Sequence, residues 1–179
     1  MKKTIQFSLI ILMLGTLTMC QSGQTTQPEE KKPTEDNTAK ERSLNLFELG
    51  KDLSFVYAPY GKGWAYKDVS LDKNDFNQWY SKNKVEFLKV LDTVDVGIVL
   101  EVVGHTDESG PQEAQPELGK KGNLWYSQQR ANQVCNALIQ AGISKEKIRC
   151  VGVGESEHIP GIDPYDQRQR RVTFRINKK

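Results

Sequence analysis

Cysteine is scarce: Cys20, Cys135 and Cys150 are the only three in 179 residues. With no CxxC pair among them, a disulfide-dense scaffold and a zinc ribbon are both excluded. Histidine is scarcer still, with His105 and His158 about fifty residues apart and no HExxH pattern, so metal-centred catalysis has no ligand set. Neither charge sign dominates. Lys and Arg number 25 against 23 Asp and Glu, which removes the broad basic field expected of a nucleic-acid binder. Only one long apolar run exists, at the very start, so a polytopic membrane protein is excluded. A hydrophobic share of 37% and a mean hydropathy of -0.61 imply that part of the chain is too polar to pack a core. The length suits one domain plus tails.

What is there begins with a targeting segment. Lys2 and Lys3 precede the mostly apolar stretch Phe7 to Met19, which falls short of the roughly 20 residues a spanning helix needs. It reads as the n-region and h-region of a signal peptide, residues 1–19. Leu17-Thr18-Met19-Cys20 looks like a lipobox, with Met19 standing where a small residue is usual. Cys20 is then the lipidation site, and acyl chains contribute about 0.8 kcal/mol per buried methylene to membrane anchoring. An ordinary cleaved signal and an uncleaved anchor are the alternatives. Gln21 after the cysteine fits sorting to the outer membrane. From Gln21 to Arg42 no Val, Ile, Leu, Met or aromatic residue occurs. Nothing there offsets chain entropy, so residues 20–42 read as a lipidated, disordered tether. Residues 43–62 form an N-terminal extension whose fold the pattern leaves undetermined.

From residue 63 to 179 the pattern becomes regular. Trp64 to Leu71 is aromatic and β-branched with partial alternation, which predicts a strand. Asp72 or Asn74 caps a helix carrying Phe76, Trp79, Tyr80, Phe87, Leu88 and Leu91 at helical spacing. Val94 to Val103 is a near-continuous apolar run, the signature of a central strand. A polar loop, Gly104 to Gly122, leads into a second helix with Leu124, Ala131, Val134, Cys135, Leu138 and Ile139 on one face, ended by Gly142. Ile148 to Val153 and Val172 to Ile176 are further strands. The fold class is therefore α/β (α+β): a β-α-β-α-β-β mixed sheet with helices packed on one face. Cys135 and Cys150 each read as a small core residue, and a bridge between them is left open.

Gly104-His105-Thr106-Asp107 directly follows the central strand, at the carboxyl edge where ligands bind in open α/β sheets. Arg130, one to two turns into the second helix, sits at the border of its buried face and can reach back toward Asp107. A carboxylate and a guanidinium held apart suit a ligand carrying an ammonium and a carboxylate together, which arginine's planar fork binds bidentately. A structural Asp107–Arg130 salt bridge is the alternative.

These segments resemble the OmpA-like C-terminal domain, the peptidoglycan-associating module of outer-membrane proteins and of Pal-type lipoproteins. The matching residues are Gly104-His105-Thr106-Asp107, Asn123, Ser127, Arg130-Ala131, Val134, Leu138 and Gly142-Ile143. Gly152, Gly154-Glu155-Ser156, Pro160, Asp163, Arg168 and Arg170-Arg171-Val172 complete the set. The likeness covers about residues 63–177. The Lys120 to Asn123 lead-in and the Arg170 to Arg175 ending also resemble leptospiral surface lipoproteins carrying this domain. The resemblance implies that Asp107 takes the free ammonium of diaminopimelate in the peptidoglycan stem and Arg130 its neighbouring carboxylate. Thr106, Ser109 and Asn123 are supporting polar contacts, and His105 braces the loop. Arg168, Arg170 and Arg171 are candidates for anionic wall groups, with at least one of them a structural partner for sheet-edge carboxylates. Three departures stand out. The Glu108 to Gly122 loop is longer than is usual and carries Glu113 and Glu117, so it is expected to cover, reshape or acidify the pocket. Tyr126 replaces a leucine, and Gln169 replaces an asparagine.

An enzyme would have to recruit His105, Asp107, Glu108, Glu155 and His158. Gly152-Val153-Gly154-Glu155-Ser156 lacks the GxSxG elbow, so no nucleophile is presented. No catalytic residue, cofactor or metal is expected. The expected partners are diaminopimelate-containing peptidoglycan and, through the lipid, the outer membrane, with no nucleic acid. The competing reading is a surface-displayed protein binding host or matrix molecules, which lipidation and a long tether permit.

Overall fold

The computed structural model describes residues 52–92 and 97–179. The signal segment, Cys20, the tether and residues 43–51 of the N-terminal extension lie outside the described residues, as does the start of the apolar run at Val94.

Six elements build the fold: β1 (Asp52–Tyr57), α1 (Lys73–Asp92), β2 (Ile98–Gly104), α2 (Asn123–Gln140), β3 (Ile148–Gly152) and β4 (Val172–Lys178). The four strands form one sheet in the order β1-β4-β2-β3. β2 runs parallel to β3 and antiparallel to β4, and β1 runs antiparallel to β4. The parallel pair needs a crossover, and α2 supplies it. This is the mixed sheet and α/β class expected.

The expected first strand is corrected. Trp64 to Leu71 is not a strand; β1 comes from the segment assigned to the extension. In Leu53-Ser54-Phe55-Val56-Tyr57, Phe55 and Tyr57 are buried while Val56 stands outward. That alternation was obscured by the apolar Val56. The Trp64 segment is instead held in turns. Trp64 Nε1 donates to Ser70 O at 2.7 Å, and Asp68 accepts from the Ser70 backbone and hydroxyl. Lys67 adopts φ 60, which no strand accommodates. Trp64 itself is a core residue.

α1 starts where Asp72 Oδ1 accepts from Asn74 N at 2.8 Å and Asp75 N at 3.1 Å, a side-chain cap of the expected kind. It buries Phe76, Tyr80, Phe87 and Leu91. Leu88, expected in that stripe, is 39% exposed. α2 ends at Gly142, φ 100, where Gly142 N and Ile143 N donate back to Ile139 O and Leu138 O. One sheet face, with Leu100, Val102, Val172 and Phe174, packs with both helices into a single core.

The opposite sheet face carries a polar row. Glu101 lies in register with Arg175 on one side and Arg149 on the other. Its carboxylate accepts from Arg149 Nε and Arg175 Nε, both at 2.9 Å, and from Asn177 Nδ2 at 3.1 Å. Burial opposes ionisation of Glu101, but hydrogen bonds from Asn177, Arg175 and Arg149 outweigh it and hold the carboxyl below its usual range.

Cys135 of α2 and Cys150 of β3 are joined in a disulfide with Cα atoms 6.3 Å apart. The bridge therefore ties the crossover helix to the edge strand it packs against.

Candidate functional site

α2 lies so close to the ends of β2 and β3 that side chains there are impossible. A Cβ on Gly104 would sit 2.0 Å from Ser127 O, and one on Gly152 would sit 2.3 Å from Gln128 N. These paired glycines let the helix start rest on the strand ends, next to the His105-Thr106-Asp107 loop. That loop is pinned on both sides. His105 N donates to Arg171 O, Thr106 N to Gly154 O and Glu108 N to Pro164 O. His105 Nε2 lies 2.9 Å from Thr173 Oγ1. Burial, with the charges of Arg171 and Arg175, pushes the imidazole pKa down to about 3, so His105 is a neutral brace.

Asp107 and Arg130 line one cavity of about 310 Å³, together with Thr106, Ser109, Asn123 and Arg170. They do not pair with each other. Asp107 Oδ2 accepts from Arg170 Nη1 and, at 3.0 Å, from Ser109 Oγ. Its Oδ1 has no donor among the described residues. Arg130 is fully buried rather than at the border of a buried face. Its Nε donates to Asp68 O at 3.0 Å and its Nη1 to His105 O at 3.2 Å, leaving Nη2 with no described acceptor. Burial first, then the Arg170 charge, against the pull of Asp107, moves Arg130 down to about 10, so it stays cationic at neutral pH. Thr106 Oγ1 is buried without a partner and lines the same cavity. One carboxylate oxygen, one guanidinium edge and one hydroxyl thus remain free in one cavity. Such a set can hold an ammonium and a carboxylate a short distance apart.

Ser109 and Asn123 brace the site through the hydrogen bonds they donate. Asn123 Nδ2 donates to Asp107 O at 3.2 Å and also to Glu155 Oε2. Of the three candidate arginines, Arg170 is the carboxylate partner, anchored by Nε to Trp64 O at 2.6 Å. Arg171 braces backbone carbonyls of Gln169 and Glu157, and Arg168 makes an exposed pair with Asp166 at 2.7 Å. Two residues of the site were missed in the sequence. Trp64 neighbours both guanidinium groups, its carbonyl accepting from Arg170 and its ring 5.7 Å from Arg130. Gln169 was noted only as a departure, yet it is fully buried and pins the 159–163 loop through Ile159 N at 2.8 Å.

The long loop reshapes the pocket without acidifying it. Asn123 N and Leu124 N donate to Pro111 O and Gln112 O, so the loop satisfies the first turn of α2. Gln112 Nε2 reaches Val153 O at 3.3 Å, fixing the loop to the end of the sheet. The loop then turns through a 3-10 segment, Pro116–Leu118. Leu118, Lys120 and Lys121 line the cavity, whereas Glu113 and Glu117 do not. His158 is half-buried, 3.6 Å from Glu108, beyond hydrogen-bond reach. Among the described residues no group of three His, Cys, Asp or Glu is placed to hold a metal ion. No helix among them is long and apolar enough to cross a membrane.

A family model described as the OmpA family matches residues 75–171, from the first turn of α1 to the residue before β4. The chain belongs to the OmpA family. An outer membrane porin F from Pseudomonas fluorescens is 33% identical over 95 residues, which are 53% of this chain and 25% of that protein. The chain therefore spans about a quarter of that curated relative. Among solved structures, the periplasmic domain of Helicobacter pylori MotB superposes with a TM-score of 0.50 at 14% identity, covering 70% of this chain and 81% of that one. The peptidoglycan-associated lipoprotein of Burkholderia pseudomallei gives 0.44 at 19% identity over 64% and 86%. At these identities the likeness concerns the OmpA-like fold alone.

Proposed function

We propose that this OmpA-family protein binds peptidoglycan non-covalently by gripping the diaminopimelate of the stem peptide. Asp107 Oδ1 takes the ammonium, and Arg130 Nη2 takes the adjacent carboxylate. Thr106 Oγ1 adds a hydrogen bond, while Ser109 and Asn123 keep the aspartate loop in place. The observation that carries the reading is the pair of free charged edges, one anionic and one cationic, opening into the same cavity. The resemblance of Gly104-His105-Thr106-Asp107 and Ser127 to Ala131 to their counterparts in the family supports the same assignment. A binding module needs no nucleophile or general base, and His105, the only histidine in the loop, is held neutral and engaged with Thr173.

On this reading residues 1–19 are a signal peptide, and Cys20 carries the acyl anchor in the outer membrane. Residues 20–42 are the tether, so the protein couples the envelope to the wall. Co-sedimentation of the protein with insoluble peptidoglycan tests the binding step. Wild type is expected in the pellet, with Asp107→Ala and Arg130→Ala in the supernatant. Wild type remaining soluble would reject the reading. Radiolabelled palmitate incorporation, lost in Cys20→Ala, tests the anchor separately.

A further inference from the structure

The cavity is charged out of balance. Its charged lining residues are Lys67, Asp107, Lys120, Lys121, Arg130 and Arg170. Arg170 already offsets Asp107, and a zwitterionic centre seated between Asp107 and Arg130 adds no net charge. Three ammonium groups are left over. None of them is used in an ion pair among the described residues.

Their placement is built rather than incidental. Lys121 Nζ sits 3.9 Å over the Trp125 ring and Lys67 Nζ 5.2 Å over the Tyr66 ring, so aromatic faces hold both ammonium groups. Lys67 also occupies the left-handed backbone region at φ 60, a costly conformation for a long side chain. The 111–122 loop that carries Lys120 and Lys121 is fixed at its root by the helix start and by Gln112. Its acidic residues stay off the cavity while its lysines line it. The buried, unpartnered Thr106 hydroxyl marks the same space as one awaiting a polar ligand.

We infer that Lys67, Lys120 and Lys121 form a second anion subsite, which takes a further carboxylate of the ligand beyond the one held by Arg130. The inference rests on the peptidoglycan reading above and narrows its ligand class. The preferred ligand is a stem peptide carrying at least two free carboxylates, with the γ-linked glutamate left unamidated. Three solvent-exposed ammonium groups acting on one carboxylate are worth about tenfold in affinity.

The test titrates the full chain in detergent with soluble alanyl-γ-glutamyl-diaminopimelate whose C-terminal diaminopimelate carboxyl, the one outside the zwitterionic centre, is blocked as an amide, in two forms: glutamate carboxylate free, or converted to the amide. Wild type is expected to favour the free form about tenfold, with the preference shrinking as salt is raised. K67Q/K120Q/K121Q changes exposed residues only. It is expected to lose the preference while binding the amide as wild type does. Equal binding of both forms by wild type would overturn the inference and leave the peptidoglycan reading standing, as would a preference retained in the triple variant. Failure of wild type to bind either form, or whole peptidoglycan, would overturn both.

Discussion

Asp107 is paired with Arg170, a residue 63 positions away in sequence, and both side chains are buried. The pairing decides how the site works. Arg170 fixes the carboxylate through Oδ2, so Oδ1 is presented to the cavity in one orientation. Arg170→Met is expected to leave a buried, unpaired carboxylate and to cost about 3–5 kcal/mol, measured by urea denaturation. Asp107→Asn keeps an acceptor for Arg170, so it is expected to fold and yet to lose at least about tenfold in stem-peptide affinity by titration.

The Cys135–Cys150 disulfide closes a loop with a sequence separation of 15. In the chain-entropy account a loop of that size stabilises by about 3 kcal/mol. Urea denaturation with and without reductant is expected to differ by about that amount. An unchanged midpoint would show that the bridge adds nothing to the packing of α2 on β3.

Glu101 gives the sheet an acid limit. Its folded-state carboxyl is held below the usual range, so its contribution is present above the unfolded carboxylate value of about 4.3 and is lost as pH falls through the folded value. The denaturation midpoint is expected to drop on acidification from pH 5 toward pH 3. Glu101→Gln is expected to start lower at pH 7 and to show a shallower drop.

Gly104 sets the distance between β2 and α2. Gly104→Ala would drive a methyl group into the Ser127 carbonyl. Because backbone rather than a flexible side chain stands in the way, the cost is expected at the upper end of about 1–3 kcal/mol, with stem-peptide binding weakened as Arg130 moves. Thermal denaturation and the same peptide titration check both effects.

Much of this was legible in the sequence. The apolar run before Gly104, the helix caps at Asp72 and Gly142, and the alternation of β4 fixed the sheet and helices, because burial on one face leaves a periodic trace. β1 was not legible: a short edge strand with outward Val56 reads as a mere apolar cluster. Trp64 misled for the opposite reason, since its aromatic segment packs through turns made by Asp68 and Lys67. At the site, Asp107, Arg130 and Thr106 stood out by motif. Arg170 as the partner of Asp107 did not, because a contact between residues so far apart leaves no local pattern. The loop's effect was hidden too: Glu113 and Glu117 are as frequent in the sequence as Lys120 and Lys121, and only the fold shows which pair faces the cavity.

Asp107 and Arg130 together are expected to read an ammonium and its neighbouring carboxylate. Replacing diaminopimelate by lysine in the soluble stem peptide keeps the ammonium and deletes that carboxylate, so calorimetric titration with the two peptides isolates the contribution of Arg130. Saturable binding of the diaminopimelate peptide and at least about tenfold weaker binding of the lysine peptide are expected, with the difference abolished in Arg130→Ala. Equal affinity for the two peptides in the wild-type protein would rule out recognition of that carboxylate by Arg130.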